Sequence, residues 1–171
     1  MNITKPSILA ISGTKNSGKT TLIEALIPIF SDMGLKVAVI KHHGHKFGEE
    51  IPDREGTDTY KFLAKGAYAT TVFDDDLYML VKRKPVDETE LIEHFSDADL
   101  ILLEGFKFSS WPKIELVRDT PKFESELDTL IGVVTNCDLS FTTDIDVPIF
   151  AYDDYQSISK LILEYMKTVR P

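Results

Sequence analysis

The chain has 171 residues, of which 43% are hydrophobic and 27% are charged. This composition is typical of a globular protein and excludes collagen-like, low-complexity and disordered classes. The 19 basic and 28 acidic side chains give a net charge of −9, which argues against nucleic-acid binding and against a polybasic membrane anchor, since both need a basic face. A single cysteine, Cys137, cannot form an internal disulfide, and no stretch approaches the ~20 apolar residues of a membrane helix. We therefore expect one cytoplasmic domain over 1–171.

The first forty residues predict a βαβ unit. An apolar run at 8–12 is typical of a strand buried on both faces. A glycine-containing loop at 13–18 separates it from a helix over 19–32, whose apolar residues recur at steps of three and four. Pro28 is expected to kink or end this helix. A second apolar strand is predicted at 36–40.

The rest of the chain continues the alternation of strands and helices. A polar stretch at 41–57 predicts a long functional loop, and Asp58 is expected to cap a short helix over 60–64. Strands at 70–73 and 77–81, joined by an acidic turn, predict an antiparallel hairpin at the edge of the sheet. Further elements follow: a helix over 88–95, strands over 100–103, 114–117, 130–134 and 147–150, and a final helix over 158–166. This order predicts an α/β fold with a mostly parallel sheet.

The loop between the first strand and the first helix matches the pattern GxxxxGK[ST]. Its eight residues are Gly13, Thr14, Lys15, Asn16, Ser17, Gly18, Lys19 and Thr20. The glycines let backbone amides approach a polyphosphate, and the helix N-terminus adds its positive end. Lys19 is expected to reach the β- and γ-phosphates, and the Thr20 hydroxyl to bind Mg²⁺. The motif thus predicts a P-loop NTPase-like three-layer sandwich, in which helices flank the sheet.

Polar residues follow two other predicted strands. Glu104 ends the apolar strand at 100–103, where P-loop proteins place the carboxylate that holds the Mg²⁺ water shell. Lys41, His42, His43 and His45 follow the second strand. We expect this cluster to contact phosphate oxygens or a ligand, and metal chelation is the alternative.

A guanine-reading carboxylate is predicted after the strand at 130–134. The segment Thr135-Asn136-Cys137-Asp138 partly matches the [NT]-K-x-D sequence of guanine-specific P-loop proteins, with Asn136 at the lysine position. An aspartate there can accept hydrogen bonds from N1–H and the N2 amine of guanine, and adenine lacks this pair of donors.

Several segments occur together and in order over most of the chain: Gly18-Lys19-Thr20-Thr21-Leu22, Ile40-Lys41-His42-His43, residues 53–60, residues 64–67, Leu103-Glu104-Gly105-Phe106-Lys107 and residues 147–150. In these segments the chain resembles the molybdopterin-guanine dinucleotide biosynthesis protein B family. The resemblance implies a homodimeric GTP-binding protein that assists the guanylyltransferase attaching GMP to molybdopterin, as an adapter or GTP donor with at most slow GTP hydrolysis.

The resemblance also assigns roles to individual residues. It implies that residues 13–21, including Thr21, bind the phosphates and that Thr20 and Glu104 serve Mg²⁺. It places Asp58 in a switch-like loop near the γ-phosphate and the metal, and Asp138 at the guanine base. In any hydrolysis, Lys19 would stabilise the developing charge and Asp58 would orient the water.

Four functional hypotheses follow. The first is a Mg²⁺-dependent GTP-binding accessory protein of molybdenum cofactor biosynthesis. The second is a small-molecule kinase or ligase in which Lys41, His42 or His43 holds the acceptor. The third is a metal-delivery GTPase that carries its metal on His42, His43 and His45. The fourth is a scaffold that binds nucleotide for structure only.

Overall fold

The computed structural model describes residues 5–43, 52–119, 122–137 and 146–169. Its backbone divides into two compact units, of which unit 1 comprises the chain up to His42 and from Thr89 onward, and unit 2 spans His43–Glu88. In chain order the elements are β1 (Ser7–Gly13), α1 (Lys19–Asp32), β2 (Val37–Lys41), α2 (Asp58–Ala64), β3 (Ala69–Phe73), β4 (Tyr78–Lys82), α3 (Glu88–Glu93), β5 (Leu100–Glu104), β6 (Lys113–Val117), a 3₁₀ turn at Leu127–Thr129, β7 (Leu130–Thr135), β8 (Ile149–Phe150) and α4 (Tyr155–Val169).

Unit 1 is built on a six-stranded parallel sheet with the order β2-β5-β1-β6-β7-β8. All five residues of β5 are buried, which explains why this strand is a continuous apolar run rather than an alternating one. β1 lies between β5 and β6, and its register pairs Ile11 with Glu104. Because the strands are parallel, all their carboxyl ends meet at one edge, where polar loops can converge.

Apolar side chains cover both faces of the sheet in unit 1. On one face, Leu9, Ile11 and Leu102 pack with Phe30 of α1 and Ile158 of α4. On the other face, a second set packs with α3: Ala10, Ile40, Ile101 and Leu103, joined by Leu91 and Ile92. The predicted α/β fold, a mostly parallel sheet flanked by helices, is confirmed.

Unit 2 contains α2 and an antiparallel hairpin, in which β3 pairs with β4 from Ala69↔Lys82 to Phe73↔Tyr78. The hairpin was expected at the edge of the main sheet and instead forms a two-stranded sheet of its own. The expected cap at Asp58 is also wrong. Thr57 caps α2, because its hydroxyl accepts a hydrogen bond from the Tyr60 amide, and Asp58 is the first helical residue.

Two helices of unit 1 differ from their predicted forms. α1 continues through Pro28 to Asp32, so the proline does not end it. α3 ends at Glu93, two residues before the predicted boundary. Within the described ranges, no helix is both long enough and apolar enough to cross a membrane.

Candidate functional site

The P-loop wraps around the start of α1 in a conformation that its glycines permit. Gly13 has φ +132° and Gly18 has φ +99°, backbone angles that side chains disfavour. A Cβ on Gly13 would lie 2.4 Å from the Leu116 carbonyl oxygen, so only glycine fits against β6 there. Gly18 is the N-cap of α1, and among the described residues no side chain caps the first-turn amides. These amides are therefore oriented to receive an anion.

Lys19 folds back over the loop that precedes it. Its Nζ donates hydrogen bonds to the carbonyl oxygens of Gly13, at 3.1 Å, and Thr14, at 2.6 Å. Burial lowers the pKa of Lys19, the Glu104 carboxylate opposes this shift, and the nearby ammonium groups of Lys41 and Lys107 add to it. The lysine thus lies at a point where positive charge is concentrated, which favours a polyanionic ligand.

Thr20, Glu104 and Lys41 form a second cluster beside the loop. The Thr20 hydroxyl donates to Glu104 Oε1 at 3.0 Å, and Lys41 Nζ lies 2.8 Å from the same oxygen. Lys41 Nζ is also 3.5 Å from Thr20 Oγ1. Glu104 is 8% exposed, so its carboxylate depends on these neighbours for compensation. The structure therefore brings together three residues that were predicted from separate parts of the sequence.

The histidines after β2 do not form a metal site in the described residues. His42 packs its ring against Phe106, with centroids 5.7 Å apart, and its amide donates to the Glu104 carbonyl oxygen at 3.2 Å. Over the ranges that the structure describes, no group of three or more His, Cys, Asp or Glu could hold a metal ion. His45 lies outside these ranges, so the three-histidine hypothesis stays a prediction.

Sequence reasoning missed a cavity on the other side of the P-loop. It has a volume of about 260 Å³ and is lined by Thr14, Lys15, Asn16, Ser17, Arg118 and Asp119. Arg118 Nη1 donates to the Asn16 carbonyl oxygen at 3.4 Å, and its guanidinium lies 5.9 Å from the centre of the Tyr152 ring. Arg118 directly follows β6, so the rule that parallel strands end at one edge could have identified it.

Two buried polar atoms near the P-loop have no hydrogen-bond partner among the described residues. Within the described part of the chain, neither Ser17 Oγ nor the Tyr152 hydroxyl has a hydrogen-bond partner, although both atoms are buried. Burial raises the pKa of Tyr152. The Tyr152 ring also lies against the loop, because a Cβ on Gly18 would be 3.4 Å from it.

Two buried charges on β6 hold the loops around the site, and sequence reasoning missed these as well. Lys113 Nζ donates to the carbonyl oxygens of Lys107 and Ser109, at 3.3 and 2.6 Å. The Glu115 carboxylate accepts from the backbone amides of Glu124 and Ser125. Both side chains are 0% exposed. Charged residues two apart in an otherwise apolar strand are the pattern that could have indicated this anchoring.

The structure gives fewer contacts for the remaining predicted site residues. Thr21 is exposed in the first turn of α1, and the Asn136 side-chain oxygen accepts from the thiol of its neighbour Cys137 at 3.8 Å. Asp138 lies outside the described residues. Asp58 belongs to unit 2, where its Oδ1 lies 3.0 Å from Lys61 Nζ. The catalytic and binding roles of these residues stay predictions.

Comparison with known proteins identifies the family. A family model described as molybdopterin guanine dinucleotide synthesis protein B (MobB) matches residues 8–136. The chain belongs to this family. It is 33% identical to the probable molybdopterin-guanine dinucleotide biosynthesis adapter protein of Bacillus subtilis over 86% of both chains. It is 32% identical to the adapter protein of the same name from Escherichia coli, over 94% of this chain and 93% of that one.

Solved structures of the MobB family share the fold. The crystal structure of Bacillus subtilis MobB superposes with a TM-score of 0.76 at 33% identity, covering 93% of this chain and 97% of that one. A MobB homologue from Bacillus stearothermophilus gives a TM-score of 0.70 at 25% identity, covering 94% and 98%. The family assignment and the P-loop geometry together place this chain among the nucleotide-binding P-loop proteins.

Proposed function

We propose that this protein is a GTP-binding adapter of molybdenum cofactor biosynthesis, which assists the guanylyltransferase that forms molybdopterin guanine dinucleotide. The observation that carries the proposal is the convergence of Lys19, Thr20 and Glu104 beside uncapped helix amides, in a chain of the MobB family. The relatives of similar length are named adapter proteins of this pathway.

The residues present fit a magnesium nucleotide. Mg²⁺ prefers hard oxygen ligands, and the Thr20 hydroxyl and the Glu104 carboxylate supply two oxygens 3.0 Å apart. When bound, the ion would neutralise charge between the β- and γ-phosphates. Lys19 would exchange its carbonyl partners in the loop for phosphate oxygens. The first-turn amides would bind the phosphates nearer the nucleoside.

The guanine base is proposed to lie on the side of the P-loop opposite Glu104. Strand order supports this direction, because β5 with Glu104 flanks β1 on one side while β6, β7 and β8 extend on the other. A nucleotide whose γ-phosphate faces Glu104 therefore extends toward Arg118, Tyr152 and Asn136. Asp138 follows β7 in the chain, and we assign it the reading of the guanine edge.

Any hydrolysis is expected to be slow. Lys19 and the loop amides would stabilise charge on the β–γ bridge, and Asp58 would orient the attacking water. Arg118 is held against the Asn16 carbonyl oxygen, on the opposite side from Glu104, so it does not supply a positive charge at the γ-phosphate. Replacing Asp58 with Ala should lower the turnover of GTP while leaving its affinity within about twofold, and an unchanged rate would remove the assignment.

Calorimetry tests the nucleotide proposal. GTP should bind at least about tenfold more tightly than ATP, equivalent to 1.4 kcal/mol, at fixed Mg²⁺ and salt. Lys19→Ala should abolish binding of both nucleotides, and Asp138→Ala should remove only the preference. Lys36→Ala is the matched control, because Lys36 is an exposed lysine paired with Asp97 at 3.3 Å. Equal affinity of the wild type for GTP and ATP would contradict the guanine assignment.

Co-purification with the molybdopterin guanylyltransferase tests the adapter role. The complex should form with the wild-type protein and should depend on nucleotide in a way that Lys19→Ala abolishes. Failure of the wild type to associate under any nucleotide condition would contradict the adapter proposal and leave the nucleotide site standing. We assign the activity to the cytoplasm, consistent with a chain whose single cysteine cannot form an internal disulfide.

A homodimer is proposed through the hairpin of unit 2. Its apolar side chains are exposed to an unusual degree, with Phe73 76%, Leu77 73%, Tyr78 71% and Leu80 54% accessible. An apolar patch of this kind marks an interaction surface, and within the described residues each of the two strands has one edge without a partner strand. Phe73→Glu should convert the dimer to a monomer in sedimentation, whereas Phe108→Glu, at an 86% exposed phenylalanine of unit 1, should not. A monomeric wild type would refute the assignment.

A further inference from the structure

We propose that the Lys41 ammonium is a built-in substitute for the divalent cation of the site. In the structure it contacts both Glu104 and Thr20, and we infer that it is displaced when Mg²⁺ arrives with the triphosphate. Lys41 therefore lets the protein hold a triphosphate without a divalent cation. This inference rests on the proposed nucleotide site and assigns a role to Lys41 beyond phosphate contact.

The position of the ammonium carries the inference. Lys41 Nζ is 2.8 Å from Glu104 Oε1 and 3.5 Å from Thr20 Oγ1, and these two oxygens are 3.0 Å apart. They are the oxygens that would ligate the Mg²⁺ of a bound nucleotide or its water shell. The ammonium contacts both of these oxygens, so it competes for them with any cation that would bind there.

The backbone brings Lys41 to this place. Lys41 is the last residue of β2 and pairs in register with Glu104, the last residue of β5. The two side chains therefore leave neighbouring strands at the same level of the sheet. The Glu104 side chain is only 10% exposed, and a carboxylate that is this buried requires a compensating charge.

Lys41 can also leave without disrupting the sheet. Its side chain is 55% exposed, and its four-carbon stem can turn the ammonium into solvent or toward a phosphate. Lys19 does not take this place at Glu104 in the structure, because Lys19 Nζ donates to the carbonyl oxygens of Gly13 and Thr14. Lys107 is engaged with Glu124 at 2.7 Å.

A nucleotide changes the balance of charges in a defined way. Without a cation between them, the Glu104 carboxylate and a bound triphosphate would repel each other in a partly buried site. In the absence of Mg²⁺, Lys41 separates them. When Mg²⁺ is present, it would compensate the charges of Glu104 and the triphosphate, and Lys41 would be released. Loss of the Lys41 charge must then weaken binding without Mg²⁺ far more than binding with Mg²⁺.

The test compares the dissociation constants of a non-hydrolysable GTP analogue in EDTA and in saturating Mg²⁺. For Lys41→Gln, the ratio of the EDTA constant to the Mg²⁺ constant should rise by about tenfold or more relative to the wild type, and the Mg²⁺ constant should change little. An equal loss of affinity in both conditions would overturn the proposal, because it would make Lys41 an ordinary phosphate contact.

Two variants control for general effects of charge. Lys107→Gln removes another positive charge near Lys19 but one that is paired with Glu124, so it should shift both constants by the same factor. Lys41→Arg keeps the charge and should keep the ratio within about threefold of the wild type. If the wild type binds no nucleotide even in Mg²⁺, the proposed function fails and the Lys41 role fails with it. If the wild type binds the GTP analogue and Lys41→Gln leaves the ratio of the two dissociation constants unchanged, only the proposed role of Lys41 fails.

A second measurement uses the unaltered protein, in case Lys41→Gln fails to fold. Lysine acylation followed by mass spectrometry reports whether an amine is free to react. With the GTP analogue saturating in both samples, Lys41 should be modified more rapidly in Mg²⁺ than in EDTA, because Mg²⁺ releases it from Glu104. Lys36 should react equally in both. Equal reactivity of Lys41 in the two samples would overturn the displacement.

Discussion

The two sheets of this protein use apolar residues in opposite ways. In the six-stranded sheet, Leu100, Leu102 and Leu103 of β5 are 0% exposed, because parallel strands are covered on both faces. In the two-stranded sheet, all residues of β4 except Val81 are exposed, including Tyr78 and Leu80. The first sheet forms a core with its flanking helices and carries the P-loop at its carboxyl edge. The second leaves apolar side chains exposed to solvent.

The same contrast applies to the hydrogen bonds of charged groups. In unit 1, Glu115 and Lys113 are buried and bind backbone groups of neighbouring loops. In unit 2, the carboxylates serve local turns, as when Asp74 accepts from the amides of Asp76 and Leu77. Among the described residues, these long-range anchors lie in the unit that carries the P-loop. Three pairs of substitutions test this division, and each pair has one member in unit 1 and one in unit 2.

The largest difference is expected between two leucines. Leu102→Ala leaves a cavity in the core of unit 1 and should cost about 4 kcal/mol of the free energy of unfolding. Leu80→Ala removes a 54% exposed side chain and should cost less than about 0.5 kcal/mol in the isolated chain. Urea unfolding at low protein concentration measures both losses. Equal losses would show that the hairpin has a core of its own.

The next difference separates two glycines with positive φ. Gly13→Ala should cost about 3 kcal/mol and abolish nucleotide binding, since it combines backbone strain with the 2.4 Å contact to the Leu116 carbonyl oxygen. Gly66 has φ +98°, and nothing lies within 4 Å of a Cβ built there, so Gly66→Ala should cost only ~1–2 kcal/mol. Thermal unfolding and calorimetry with GTP provide both readouts. Retained nucleotide binding in Gly13→Ala would contradict the close approach.

The smallest difference concerns two carboxylates in acid. The hydrogen bond from Lys107 lowers the pKa of Glu124 from 4.5, and the Thr59 hydroxyl lowers the pKa of Asp53 from 3.8. A lowered folded-state pKa stabilises the protein at pH above the unfolded-state value, and this contribution is lost as the pH falls through the folded-state pKa. The loss should therefore begin near pH 4.5 for Glu124 and near pH 3.8 for Asp53.

Hydrogen exchange resolved along the chain, measured from pH 6 to pH 3, separates the two carboxylates. Glu124→Gln should flatten the acid dependence of protection in unit 1, and Asp53→Asn should do so in unit 2. Lys107→Met should reproduce the effect of Glu124→Gln because it removes the same hydrogen bond. Crossed effects, with Glu124→Gln altering unit 2, would contradict the assignment.

The sequence was informative where local chemistry dictates local structure. The glycine spacing at Gly13 and Gly18 allows one loop conformation beside a buried strand, and the position of Glu104 after an apolar run places it at the carboxyl edge. However, the pattern of apolar residues in a strand does not show which other strand it pairs with. For that reason the prediction that placed the hairpin at the edge of the main sheet was wrong. The closeness of Lys41 to Glu104 became clear only from the β2–β5 register.

Other features were missed because they depend on contacts between distant residues. Arg118 and Asn16 are 102 positions apart, and the Tyr152 ring approaches Gly18 from the far end of the chain. The prediction that Asp58 caps α2 was wrong for a different reason. Thr57 and Asp58 are both good caps, and only the backbone geometry decides between adjacent candidates.

The strand order has a consequence for how the chain emerges from the ribosome. β1 and β2 both pair with β5, and β1 also pairs with β6, so neither has a native neighbour until residue 104 has been synthesised. At a synthesis rate of about 5–20 residues per second, several seconds pass between the synthesis of the P-loop and that of the strands that pair with β1. The hairpin of unit 2 pairs strands only a few residues apart and can form during that interval. Nucleotide can therefore support only the later stages of folding in the cell.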